Sequence, residues 1–209
     1  MPKPDPGLRP VARFPTERLG DAELVAAAAR GDAEAVGVVW QRYSGLVRGV
    51  LFGALGPDHS IDDLVQDVFV GFLKGARNVS DGAALRGYLT GVAVRLAALE
   101  LRRRKVRRWV MLSPTGELPE QRALPSDPES REALRALYRV LDGLGSRRRL
   151  AFVLRHVQGL EMVEAANALR VSESTLRREL VRARTHIARA GQREPALKRY
   201  LARFERGQA

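Results

Sequence analysis

The chain contains no cysteine. Disulfides and thiolate metal sites are therefore excluded, and the composition suits a reducing cytoplasm without depending on it. Only three histidines occur, His59, His156 and His186, and none falls at the spacing of a metal-ligating pair such as HExxH. No apolar run approaches the roughly 20 residues needed to span a bilayer, so no membrane span is expected. Residues 1–19 are rich in proline and charge and lack an apolar signal core, which predicts a flexible N-terminal arm. Neither a GxxxxGK[ST] phosphate loop nor a GxGxxG following a strand is present. Alternating β patterns, Asn-Gly hairpin turns and solenoid repeats are missing too, which leaves an all-α fold. Asp62, Asp63 and Asp67 are acids without metal-ligand geometry, since two are adjacent and the third lies a turn away. The expectation is a protein that is not an enzyme and carries no cofactor or metal.

Positive charge is what the chain has in excess. Its formal net charge is +12, and its pI of about 11.1 points to a polyanionic partner. The excess is uneven: residues 1–110 carry +5, residues 111–130 carry −3 and residues 131–209 carry +10. Two basic ends around an acidic middle fit two DNA-facing domains joined by a linker that DNA repels. Charge alone equally fits ribosomal RNA or an anionic membrane surface. The middle segment, MLSPTGELPEQRALPSDPES, has four prolines and no apolar periodicity, so residues 111–130 read as an extended linker.

Residues 20–110 yield four helices. The first runs from a cap at Asp21 to Arg30, with Gly31 as its stop. The second covers Ala33–Leu55 and lines up Val36, Val39, Trp40, Tyr43, Leu46, Val47, Val50 and Leu51 before Gly56-Pro57 ends it. The third follows a cap at Ser60, with Asp62 and Asp63 in the first turn, where the helix dipole favours acids. It buries Leu64, Val65, Val68, Phe69 and Phe72. The fourth starts near Asp81, and Leu85, Leu89, Val92, Leu96 and Leu99 form its core stripe. Its distal end, ELRRRKVRRW, holds six cations and one acid, more than capping a helix end requires.

Residues 131–190 carry the clearest pattern. In 145–189 a helix and a break precede a short helix with Ala165, Ala166 and Leu169 on one side. Val171 fills a tight turn, and Ser172 is placed to cap the next helix. There Leu176, Leu180, Ala183 and Ile187 form a buried stripe, leaving Arg177, Arg178, Arg182 and Arg184 outside it. This is the pattern of a helix-turn-helix, whose second helix enters the DNA major groove. Residues 191–209 form a tail able to make a short amphipathic helix with Leu197, Tyr200, Leu201 and Phe204 on one side.

The whole layout resembles bacterial RNA polymerase sigma factors of the two-domain, extracytoplasmic-function (ECF) class. The family pattern LVxxAxxGDxxAFxxLxxRY stands here as LVAAAARGDAEAVGVVWQRY, residues 24–43, and DAEDLVQDVFL stands as SIDDLVQDVFV, residues 60–70. WLxxIAxNxxxDxxRRxxR stands as YLTGVAVRLAALELRRRKVRR, residues 88–108, and the family's C-terminal signature aligns with residues 144–187. The resemblance implies a sigma region 2 domain over 20–110 and a sigma region 4 domain over 131–190. It implies that Asp62, Asp63, Leu64, Gln66 and Asp67 dock on the β′ coiled coil of core RNA polymerase, with the β flap as a further contact. It implies that Tyr88, Arg95, Arg102, Arg103, Arg104, Lys105, Arg107 and Arg108 face the −10 promoter element. Ser172, Thr175, Arg177, Arg178 and Arg182 then face the −35 element. Promoter DNA and core polymerase are the implied partners, an anti-sigma factor is a third to consider, and the cytoplasm is the implied location.

The chain departs from the family pattern at several positions. Arg95 replaces its asparagine and Tyr88 its tryptophan, and the loop NVSDGAALRG lacks its usual Phe. Gly145 replaces a proline, Ala165 an isoleucine and Arg170 the turn glycine. That arginine is expected to adopt a left-handed conformation, costing roughly 1–2 kcal/mol. Two alternatives stay open at this point: a sigma-like regulator that binds DNA without opening promoters, and a basic nucleic-acid-binding protein without sequence preference.

Overall fold

The structure, a computed structural model, describes residues 19–58, 60–76, 85–110 and 127–199; the side chains of 108–110 are not included. The expected arm, His59, Asp81 and its loop, most of the linker, and Tyr200, Leu201 and Phe204 lie outside these residues. Every regular element described is helical. In the first domain these are α1 (Asp21–Ala29), α2 (Ala33–Leu55), α3 (Ile61–Gly75) and α4 (Leu85–Val110). In the second they are α5 (Pro128–Asp142), α6 (Ser146–Phe152), a π-helical continuation (Val153–Val157), α7 (Met162–Leu169) and α8 (Glu173–Gly191). Residues 195–199 add one more helical turn.

The capping chemistry differs in detail from expectation. Glu23 reaches back to the Gly20 amide at 2.8 Å, so Gly20 begins α1. Asp21 is then free to accept from Arg42 at 2.6 Å and from the Tyr43 hydroxyl. That contact and, above all, burial push the Tyr43 phenol up to about 12. Asp32 caps α2 through the amides of Glu34 and Ala35. Ser60 does not cap α3; its hydroxyl donates to Asp58 at 2.6 Å instead. The linker reading extended too far, because Asp127 accepts from the Ser130 amide and Pro128 opens α5.

The apolar stripes meet in the core with two exceptions. Val39, Val47, Val50 and Leu51 of α2 are buried with Val65, Val68 and Phe72 of α3 and Leu85 and Leu89 of α4. Trp40, expected on the packed side, is 37% exposed and lies on Phe69 with ring centroids 4.6 Å apart. Leu99, expected to end the α4 stripe, is 40% exposed. A strict seven-residue repeat drifts around a 3.6-residue helix by about 20° per heptad, and by Leu99 it has left the core.

The two domains share one apolar cluster. Leu150, Leu154, Leu160, Ala165, Ala166, Leu176 and Leu180 join the core of α1–α4, while Leu141, Leu144 and Ala183 form a smaller core of their own.

Candidate nucleic-acid and polymerase interfaces

The tight turn presents α8 as expected. Arg170 sits at φ 53° and ψ 48°, the left-handed conformation its position demands. The Ser172 hydroxyl then accepts from the Thr175 amide at 3.3 Å and starts α8. Leu176, Leu180 and Ala183 are buried, which turns Arg177, Arg178 and Arg182 to the exposed side. Their intrachain partners are weak ones. Arg177 lies 3.4 Å from Glu173, Arg178 3.3 Å from the Thr175 hydroxyl and Arg182 3.5 Å from Glu179, all at the solvent edge. Such contacts contribute little to stability and are easily exchanged for a phosphate or a base.

Sequence reasoning missed a cationic groove beside this helix. Arg148, Arg182, Arg189 and Arg193 line a space of about 450 Å³ with Thr185 and His186. Arg148 comes from α6 and is held by Glu179 at 2.9 Å, so no single-helix periodicity could have revealed it. Nearby, Arg184 approaches His156 Nε2 at 3.4 Å. Burial first, then the charges of Arg184 and Arg155, lower the pKa of this imidazole and favour its neutral, accepting form. The other described histidine, His186, places Nε2 3.2 Å from the Val140 carbonyl.

The α4 cations are not equivalent. Arg102, Arg103, Lys105 and Arg107 are exposed, although Arg107 reaches Glu100 at 2.8 Å. Arg104 is engaged inside the molecule: it donates to the Leu55 carbonyl at 2.8 Å and Asp58 at 2.8 Å, and contacts Glu100 at 3.2 Å. It closes the C-terminal end of α2 rather than standing free. The Arg108 side chain lies outside the described residues. Tyr88 is half-buried, edge-on to Phe72, with its hydroxyl 3.4 Å from the Gly71 carbonyl. Its ring is held by α3. Arg95 is exposed, and its guanidinium folds back over Gly91. Leu99 and Val106, both exposed, form an apolar groove among Arg102, Arg103 and Arg107.

A third face lies on α3. Asp62, Asp63, Gln66 and Asp67 are exposed and Leu64 is half-buried. Arg48 of α2 pairs with Asp62. The ridge continues through Val70 and Leu73, which are 44% and 45% exposed. Periodicity could have found them: with Asp63 and Gln66 they stand three or four residues apart on one face. Among the described residues no cluster of His, Asp or Glu is arranged to hold a metal ion.

Both domains are similar to known proteins. Residues 39–107 match the family model of Sigma-70 region 2, and residues 134–187 match that of Sigma-70, region 4. The ECF RNA polymerase sigma factor SigM of Mycobacterium tuberculosis (strain H37Rv) is 28% identical over 169 residues, 81% of this chain and 83% of SigM. The ferric citrate uptake sigma factor FecI of Escherichia coli (strain K12) is 31% identical over 60% of this chain and 72% of FecI. In fold the chain is similar to CnrH, solved in complex with the cytosolic domain of CnrY. The TM-score is 0.58 at 24% identity, covering 80% of this chain and 94% of CnrH.

Proposed function

The chain belongs to the ECF class of the sigma-70 family and is a sigma factor for promoter-specific transcription; from that membership we propose how its three exposed faces divide the work. The relatives favour neither alternative, the regulator that does not open promoters or the basic protein without sequence preference. On α8, Ser172 and Thr175 hold phosphate at the helix N-terminus, and Arg177, Arg178 and Arg182 read the −35 element. The exposed cations of α4, Arg102, Arg103, Lys105 and Arg107 with Arg108, follow the backbone near the −10 element, beside Tyr88 and Arg95. Arg104 serves the −10 face indirectly, by fixing the end of α2 against α4. The α3 ridge, Asp62, Asp63, Leu64, Gln66 and Asp67, docks on the β′ coiled coil of core polymerase, where acids beside an apolar strip complement a basic hairpin. The second domain meets the β flap.

This reading has the chain working in the cytoplasm with polymerase and promoter DNA, and no helix among the described residues is long and apolar enough to cross a membrane. The chemistry belongs to the polymerase, so the chain needs no catalytic group or cofactor. An anti-sigma partner is part of the proposal: CnrH is solved with a partner's cytosolic domain, and the open α3 ridge is a surface such a protein would contest.

The observation that carries the division of labour is the one-sided α8, apolar stripe buried and three arginines exposed. Arg178→Ala is expected to relax preference at one or two base pairs, since a bidentate guanine contact is worth roughly 1–3 kcal/mol of discrimination. Arg103→Ala is expected to weaken binding on every sequence and to reduce the salt slope by about one phosphate contact. Holoenzyme binding to a randomised promoter library across a salt series measures both. Uniform loss in both variants would show that α8 does not read sequence.

A further inference from the structure

A cavity of about 300 Å³ lies where the end of α2 and the distal half of α4 face α5 and α6. Leu55, Pro57, Leu101 and Tyr138 give it an apolar lining. The Tyr138 ring is fixed in place, because its hydroxyl donates to the Phe52 carbonyl at 2.8 Å. Gly56 leaves that ring its room, since a Cβ there would come 3.2 Å from it. Into the same space α4 brings Arg104 and Arg107, α5 brings Arg135, and α6 brings Arg149. No pattern along one helix reveals such a cavity, because four elements build it.

The four arginines are unequally balanced. Arg104 is matched by Asp58 at 2.8 Å and Glu100 at 3.2 Å, and Arg107 shares Glu100 at 2.8 Å. Arg135 is exposed and has no hydrogen bond or ion pair among the described residues. Arg149 is the unusual one. Its side chain is 3% exposed, its Nη1 meets Asp142, and its guanidinium lies 5.6 Å from the centre of the Tyr138 ring. Its Nε–H is buried with no acceptor. Buried donors are normally satisfied, so this one marks a place where a partner is missing. Four arginines thus meet three carboxylates, Asp58, Glu100 and Asp142, an excess of one positive charge around the cavity. Burial, with Arg104 adding to it, lowers the Arg149 pKa in spite of Asp142. The surroundings therefore compensate its charge incompletely.

We propose that this cavity binds a nucleoside phosphate, its phosphate drawn to Arg135 and Arg149 and its base laid on Leu55, Pro57, Leu101 and Tyr138. A guanidinium presents paired N–H donors that match phosphate oxygens, and a small turn of Arg149 brings its Nε–H onto such an oxygen. The apolar lining selects a flat ring over a sugar phosphate, whose hydroxyls would find few partners there. The volume stands at the lower end of small-molecule sites, which suits a single nucleotide. Leu55 and Leu101 belong to the first domain and Tyr138 and Arg149 to the second, so the ligand touches both and stabilises the full chain. Nothing in the division of labour among the DNA- and polymerase-facing surfaces requires this ligand, so the two readings stand or fall separately.

Calorimetric titration of the full chain at fixed ionic strength, with ADP and separately with GDP, tests the site. Pyrophosphate, which lacks the ring, and adenosine, which lacks the phosphate, are titrated beside them. At least one nucleotide is expected to bind saturably at one site, roughly tenfold or more tighter than pyrophosphate and adenosine. Arg135→Ala removes an exposed side chain and leaves the fold intact; it is expected to weaken that nucleotide by roughly fivefold or more. Arg149→Lys keeps a charge but loses the fork, and is expected to cost roughly tenfold or more. Should the buried Arg149→Lys variant fail to fold, Arg135→Ala alone decides. Arg178→Ala, on the DNA-facing helix, is expected to leave nucleotide affinity unchanged. The proposal is overturned if neither nucleotide binds at millimolar concentration, or if pyrophosphate or adenosine binds as tightly. Unchanged affinity in Arg135→Ala also overturns it, as does an equal loss in Arg178→Ala, which would put the nucleotide on the DNA-facing cations.

Discussion

Arg170 holds a backbone conformation that costs an ordinary residue roughly 1–2 kcal/mol, and it does so at the turn that orients α8. Its side chain is exposed, so nothing packed is lost on removing it. Arg170→Gly is expected to stabilise the chain by about 1 kcal/mol, because glycine's added unfolded-state freedom offsets part of the relief. Thermal unfolding should show Tm raised by roughly 2–4 °C for a chain of this size. An unchanged or lower Tm would mean that the arginine makes a compensating contact. At Arg95 the chemistry differs from asparagine in kind, since a guanidinium donates but cannot accept. Its exposed position over Gly91 suits a phosphate or a base acceptor. Arg95→Asn is expected to shift the −10 preference away from guanine or thymine, and to weaken binding modestly. Transcription from templates carrying every base at each −10 position measures this, and an unchanged profile with an unchanged open-complex lifetime places Arg95 outside the melting site. Arg170 was legible in the sequence because a turn with a fixed conformational demand lacked its glycine. Arg104 was not, because its Leu55 carbonyl and Asp58 carboxylate partners come from the end of α2 and just past it, 49 and 46 residues away in sequence.

At the scale of elements, periodicity placed the buried stripes of α2, α3 and α8, with Trp40 and Leu99 as the local failures described above. The turn chemistry was also readable, because Ser172 does cap α8. Ser172→Ala should cost about 1 kcal/mol of stability, as loss of such a cap usually does, and should weaken DNA binding by removing a phosphate ligand as well. Chemical denaturation and binding at fixed salt separate the two effects. The π-helical stretch Val153–Val157 was invisible in sequence, since a one-residue widening of the helix has no compositional mark. It places Val153 and, just beyond it, Gln158 against α2. On α3 the exposed acids and the following Val70 and Leu73 act as one ridge. Asp63→Arg reverses a charge at its centre without touching the core, so helicity should be unchanged while affinity for core polymerase falls at least tenfold. Wild-type affinity would detach this ridge from the β′ contact. The Asp62 position is a poorer probe, because Arg48 already compensates it.

For the molecule as a whole, the sequence conveyed two basic helical domains with an acidic segment between them, and the family models match both. How the domains lie against each other was not legible. That arrangement depends on Gly49 and Gly53 of α2, which read as unremarkable helix residues until Gln158 and Val153 are found above them. The proposed separation of functions by face rests on the same geometry: α8 and the end of α4 present cations while α3 presents acids, an arrangement suited to DNA on some sides and a protein on another. The most direct test of this is run-off transcription by core polymerase reconstituted with the full chain, on promoters selected by that holoenzyme from a random pool. The expected result is one −35 and one −10 motif at a fixed spacing, and transcripts that disappear when either motif is scrambled. Enrichment of no motif, or equal transcription from scrambled templates, would contradict the assignment.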